Sequence, residues 1–200
     1  PDDDFVLRIF GGDVTLQDSA GGGGIVGTNE AENSDAVFVY DGKLTITSGT
    51  ITGYTRGIKV SGGEVVLAGG IVKEERGSGP AAGIEMNGGS ITVSAGSISG
   101  NVALQIDDGT VSITGGTITG RKFGICADRS YSGTVTITIT CGRFHVDCQV
   151  VVNMPTSSVV VTRAIKAPAP LTASRSLSFM IPCLPLFRLT SQLLWIWQTQ

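Results

Sequence analysis

The 200 residues include 29 glycines and 21 threonines, while aromatic residues make up 6% and charged residues 16%. The helix-forming richness in Ala, Leu, Glu and Lys is missing and no collagen-like glycine period is present, so the composition excludes a helical bundle and a triple helix and favours a β-rich fold. Fourteen Lys+Arg against 17 Asp+Glu leave a net charge of −3, which gives no electrostatic basis for nucleic-acid binding.

The opening residues carry no charged-then-apolar leader, and the expectation is a mature chain or a fragment of a longer surface protein. A partial first unit follows, with Val14 and Leu16 apolar and a loop over Gly21 to Gly24. From there the chain repeats itself. Gly42-Lys-Leu-Thr-Ile-Thr-Ser-Gly-Thr-Ile-Thr-Gly53 recurs from Gly89 to Gly100 and from Gly109 to Gly120, more loosely from Gly63, and finally around Ile137, where Cys141 and Phe144 take the Gly and Ile places. Between these copies lies a shorter element, seen at Ala36 to Val39, Gly57 to Val60, Gly83 to Met86, Ala103 to Ile106 and Gly124 to Ala127. Measured from Leu44 through Val65, Ile91, Val111 and Ile137, the period is 21, 26, 20 and 26 residues.

Each unit holds three short runs with apolar residues at alternate positions, such as Leu44/Ile46, Ile51 and Ile58/Val60. Alternation at period two is the mark of a half-buried strand. The gaps are too short for a helical crossover, so equivalent strands are expected to pair in parallel, unit upon unit, with the aliphatic residues in continuous columns. The predicted fold is all-β: a right-handed parallel β-helix, or β-solenoid, of about 5–6 coils. Gly62-Gly63, Gly88-Gly89 and Asp108-Gly109 are the expected corners, and Lys73 to Pro80 and Arg129 to Gly133 are expected loops.

The last glycine is Gly142 and the last acidic residue Asp147, whereas five of seven prolines and both tryptophans lie beyond residue 150. Two segments are therefore expected: a β-solenoid domain over 1–162 and an atypical tail over 163–200, read as a cap, a disordered segment or an out-of-frame extension. Leu177 to Trp197 is apolar, but Arg188 near its middle and Pro182 and Pro185 argue against a membrane span.

The pattern Gly-Ile-x-Val-x-Gly-Gly-x-Val/Ile-x-Val/Ile-x-x-Gly-x-Ile-x-Gly, running from Gly57 through Gly120, resembles the right-handed parallel β-helix repeats of bacterial cell-surface, adhesin-like proteins with the pectin-lyase-like fold. The resemblance covers roughly residues 5–160. It implies an extracellular or cell-surface location and a non-catalytic module that meets glycans or host surface molecules. The same fold hosts polysaccharide lyases and glycoside hydrolases, which stand as the alternative.

Aligned outward positions form rows. Two of them are mostly Thr and Ser (Thr45, Thr92, Ser112, Thr138; Thr50, Ser97, Thr117), which suits exposed strand surfaces. The third reads Phe38/Tyr40, Lys59/Ser61, Glu85/Asn87, Gln105/Asp107 and Cys126/Asp128. Phe38, Tyr40, Lys59, Glu85, Asn87, Gln105, Asp107 and Asp128 are the candidate ligand-binding residues, for a sugar or for Ca²⁺ as the one candidate ion. In an enzyme, Glu85, Asp107 and Asp128 would supply the carboxylate pair of a glycosidase. Arg56-Gly57-Ile58-Lys59 looks superficially like the Arg-x-Lys element of pectin-degrading hydrolases, but their Gly-His-Gly is missing, so Arg56 and Lys59 are read as corner and surface charges. His145 is the single His, and Cys126, Cys141, Cys148 and Cys183 lack zinc-ribbon spacing, so no metal centre and no cofactor are expected.

Overall fold

The computed structural model describes residues 4–27, 34–127, 134–140, 142–146, 150–152, 158–163, 177–181 and 185–187, with side chains over 5–27, 34–127 and 134–140. These residues form strands and bends, with no helix among them. The strands are β1 (Asp4–Leu16), β2 (Gly24–Gly27), β3 (Ser34–Ile46), β4 (Thr50–Gly53), β5 (Arg56–Val60), β6 (Glu64–Leu67), β7 (Ile71–Glu74), β8 (Ala82–Met86) and β9 (Ser90–Val93). They continue as β10 (Ser97–Ile106), β11 (Gly109–Ile113), β12 (Thr117–Ala127), β13 (Val135–Ile139), β14 (Gly142–Val146), β15 (Val150–Val152), β16 (Ser158–Arg163), β17 (Leu177–Ile181) and β18 (Pro185–Phe187).

Strands β1 to β16 pair in parallel, each with its equivalent one repeat away. One column runs Val14, Leu44, Val65, Ile91, Val111, Ile137, Val159. A second runs Ile25, Ile51, Val72, Ile98, Ile118, Phe144. The third runs Leu7, Val37, Ile58, Ile84, Leu104, Ile125, Val150. The pairing expected from the repeats is thus the pairing found, and it extends one repeat further, through β15 and β16. The crossover that parallel strands require is supplied by the strands of the other two columns.

Alternation places the column residues inside: Leu44, Ile46, Ile51, Ile58, Ile84, Leu104 and Ile113 are among the fully buried side chains of one continuous apolar cluster. Each contributes roughly 1.5–3 kcal/mol through burial. The bends carry two sets of positive-φ glycines, Gly42, Gly63, Gly89 and Gly109 in one and Gly49, Gly70, Gly96 and Gly116 in the other. Beside the second set, the hydroxyls of Thr47, Ser94, Thr114 and Thr140 donate to the carbonyls of Leu16, Leu67, Val93 and Ile113 on the preceding repeat. These side chains therefore tie one repeat to the next and do not merely coat a surface.

Strands β17 and β18 break the parallel rule, pairing antiparallel with β14 and β16. The rest of the expected tail lies outside the described residues. Among those described, no helix is long and apolar enough to cross a membrane.

Candidate functional site

The exposed side of the third column holds the candidate site. Its register is Arg8, Phe38, Lys59, Glu85, Gln105, Cys126, so the expected row is present in order. Its members nonetheless divide into two environments.

At the β1 end, the row is an aromatic cluster open to solvent. Phe5 stacks on Phe38 with ring centroids 4.9 Å apart, Phe10 meets Phe38 edge-on at 6.5 Å, and Tyr40 lies 5.9 Å from Phe10 and 6.2 Å from Phe38. Phe10 is 64% exposed and Tyr40 57%. The Arg8 guanidinium sits 4.9 Å from the Phe5 centroid and the Lys59 ammonium 5.9 Å from that of Phe38, within cation–π range. A continuous exposed patch of this kind marks an interaction site more often than scattered surface apolar residues do.

Farther along, the row is closed. Arg56 is 9% exposed, Asp35 0% and Glu85 3%. The Arg56 Nη1 donates to both Asp35 carboxylate oxygens at 3.0 and 2.9 Å, and its Nε donates to Glu85 Oε2 at 2.8 Å. This departs from the sequence expectation of Arg56 as a corner or surface charge and of Glu85 as an outward member of a ligand-binding row. The physical reason is that Arg56, lying between β3 and β8, folds its long side chain across both neighbours and withdraws all three charges from water. Asp107 is also buried, and Gln105 donates to it at 3.3 Å. Cys126, at an outward position, is covered by Ala82, Val102 and Phe123. Asn87 is exposed on the bend after β8. Asp128, Cys141, Cys148 and Cys183 lie outside the described residues, and of His145 only the backbone is described.

A further buried carboxylate, Glu74, lies at the end of β7 in the second column. Glu74 stands in register with Gly53 and accepts hydrogen bonds from the Gly77 and Asn101 amides at 2.9 and 2.6 Å and from Arg121. It ties the loop after β7 to the next two repeats. Among the described residues, no three His, Cys, Asp or Glu side chains are grouped to hold a metal ion.

Burial raises the Asp35 carboxyl from its ordinary 3.8 to about 6, against the opposing pull of Arg56. The folded chain therefore binds this proton more tightly than the unfolded chain. The stabilisation is complete below about pH 3.8 and is lost as pH rises through about 6, a swing of about 3 kcal/mol. Urea unfolding of the native chain and of Asp35→Asn, each at about pH 4 and about pH 7, should show the loss on raising pH in the native chain and a profile flatter by about that amount in the variant. Parallel profiles would mean that Asp35 does not titrate in this window.

Phe5, Phe10, Arg8 and Asp35 were not singled out from the sequence. The first unit departs from the Gly-Ile-x-Val pattern, so its register against β3 is not evident. A match of Leu7/Ile9 to Val37/Val39, followed by Val14/Leu16 to Leu44/Ile46, would have supplied it. Compared with known proteins, the chain matches no family model, and no curated protein and no solved structure matches it.

Proposed function

We propose that this chain is a right-handed parallel β-helix of the pectin-lyase-like, bacterial cell-surface type, and that it acts as a non-catalytic, adhesin-like extracellular module binding glycans. The parallel pairing of β1 to β16, each with its equivalent in a neighbouring repeat, supports the architecture. A single observation carries the function: the exposed cluster of Phe5, Phe10, Phe38 and Tyr40 flanked by Arg8 and Lys59.

A pyranose ring presents a face of C–H groups, weakly positive, which rests favourably on the negative face of an aromatic ring. Several rings fixed on paired strands lose little side-chain entropy on binding, since Phe and Tyr have few rotatable bonds. Lys59 and Arg8 then supply hydrogen-bond donors for hydroxyl or acidic substituents at the edge of the platform. The alternative of a lyase or hydrolase built on Glu85 finds less support, because that carboxylate is buried and already engaged by Arg56.

Screening the purified chain on a broad glycan panel tests the reading. For a glycan that binds, Phe10→Ala and Tyr40→Ala should each weaken affinity by about tenfold, equivalent to about 1.4 kcal/mol, with the thermal unfolding midpoint little changed, because both side chains are largely exposed. A panel without binding, or binding indifferent to both substitutions, would refute it.

A further inference from the structure

Asn87 and Gly88 lie in the bend between β8 and β9, where the chain passes from the third column to the first. Bonds to neighbouring repeats pin this bend on both sides. Before it, the Asn87 amide donates to the Val60 carbonyl at 2.7 Å and the Met86 carbonyl accepts from the Asp107 amide at 2.7 Å. After it, the Gly89 carbonyl accepts from the Thr110 amide at 3.1 Å and the Ser90 amide donates to the Gly63 carbonyl at 2.9 Å. The peptide link between Asn87 and Gly88 is the exception. Among the described residues, neither its carbonyl nor its N–H takes part in a hydrogen bond, and the exposed Asn87 carboxamide has none either.

We infer that Asn87 is a self-modification site, at which the Gly88 nitrogen closes on the Asn87 side chain and the carboxamide becomes a carboxylate. The nitrogen attacks Cγ of Asn87. A bond from Gly88 N to Cγ forms as the bond from Cγ to Nδ2 breaks, and the amide proton leaves with the side-chain nitrogen as ammonia. Water, the one co-reactant, then opens the cyclic imide. Addition at Cγ gives aspartate, and addition at the Asn87 backbone carbonyl gives isoaspartate, so either route leaves a free carboxylate and nothing is oxidised or reduced.

The surroundings favour reaction at this link. Glycine carries no Cβ to shield the attacking nitrogen and has the widest backbone freedom. The link can turn without breaking a bond between repeats, and exposure admits the water. Of the five asparagines, Asn29, Asn33, Asn87, Asn101 and Asn153, Asn87 alone precedes a glycine. Asn101 shows the opposite case. Its Nδ2 donates to the Gly79 carbonyl at 2.8 Å, its own amide donates to Glu74 at 2.6 Å, and the amide that would have to attack, that of β-branched Val102, donates to the Ala81 carbonyl at 3.1 Å. At Asp41-Gly42 and Asp108-Gly109 the glycine amide donates to the aspartate oxygen at 2.7 and 2.8 Å, and an ionised carboxylate has no amine to expel. Asn87 stands one position beyond the register of Val60, Met86 and Ile106, beside Ser61 and Asp107. The reaction therefore adds a carboxylate to the outward row of the third column and one negative charge to the net −3.

Incubation of the purified full chain in mildly alkaline buffer, followed by isoelectric focusing and peptide mass mapping, tests this. One more acidic form is expected to accumulate with time, with a mass gain of about 1 Da confined to the peptide that contains Asn87. Asn87→Gln, whose longer side chain would have to close a larger ring, should stay unmodified over the same time with an unchanged circular dichroism spectrum. The chain unfolded in urea supplies the reference rate. The folded chain should react within about tenfold of it, because the reacting link needs no opening of the repeat pairing. A folded chain that gains no acidic form, an acidic form that persists in Asn87→Gln, or a folded-state rate more than about tenfold below that of the unfolded chain would each overturn the proposal.

Discussion

Gly89→Ala should abolish folding at ordinary temperature or lower stability by about 4 kcal/mol or more, whereas Gly12→Ala should cost only about 1–2 kcal/mol. Both glycines have positive φ, 85° and 76°, so both replacements incur the strain of a side chain in the left-handed region. Their surroundings differ. A Cβ on Gly89 would lie 2.7 Å from the Gly62 carbonyl carbon and closer still to the Gly63 oxygen, both rigid backbone of the preceding repeat. Relief would require two repeats to move apart and would break the pairing of β6 with β9. A Cβ on Gly12 meets nothing within 4 Å, so conformational strain remains its whole penalty. Chemical denaturation of the two variants in parallel separates strain from contact, and equal losses would contradict the close stacking of the bends.

Arg56→Met should destabilise the chain by about 3–5 kcal/mol. The Arg56 guanidinium binds carboxylates from two different strands, Asp35 on β3 and Glu85 on β8, so its removal leaves two buried carboxyl groups without their cation. Burial of an uncompensated charge is far costlier than loss of an exposed pair. Lys73 and Glu75 give the comparison, with their side chains 40% and 44% exposed at 3.1 Å separation; Lys73→Met should cost below about 1 kcal/mol. Adding Asp35→Asn and Glu85→Gln to Arg56→Met removes the stranded charges and should recover a large part of the stability. Urea midpoints of the single and triple variants check this. A triple variant no better than Arg56→Met would show that the contribution of Arg56 lies in packing instead of charge.

Much of the pairing was legible in the sequence. Leu44, Val65, Ile91 and Val111 recur once per unit, 21, 26 and 20 residues apart, within runs that alternate strictly, and a strand shifted by one residue would turn every one of them to solvent. Parallel, in-register pairing is the arrangement that buries them all, and the column containing them follows. The seventh repeat was less visible because β15 and β16 have lost the glycines that punctuate the others. In the candidate site, Phe38, Tyr40 and Lys59 are legible in the sequence and do cluster, whereas Glu85 and Asp107, equally outward in the repeat pattern, are buried. An outward position specifies a direction; it does not specify whether a neighbouring side chain lies over it.

That distinction separates the two levels of information. Side-chain alternation is a local property of extended backbone, so the amino-acid order alone determined which residues of each repeat turn inward and which repeat positions stand beside one another. The enclosure of Asp35, Arg56 and Glu85, and the gathering of Phe5 and Phe10 against Phe38 and Tyr40, were decided only in three dimensions. Both depend on the reach of side chains between strands that lie 20 or more residues apart in the chain, and that reach has no counterpart in local sequence. A four-bond arginine can span two strand spacings and withdraw carboxylates from water, whereas a short side chain at the same position would leave them solvated.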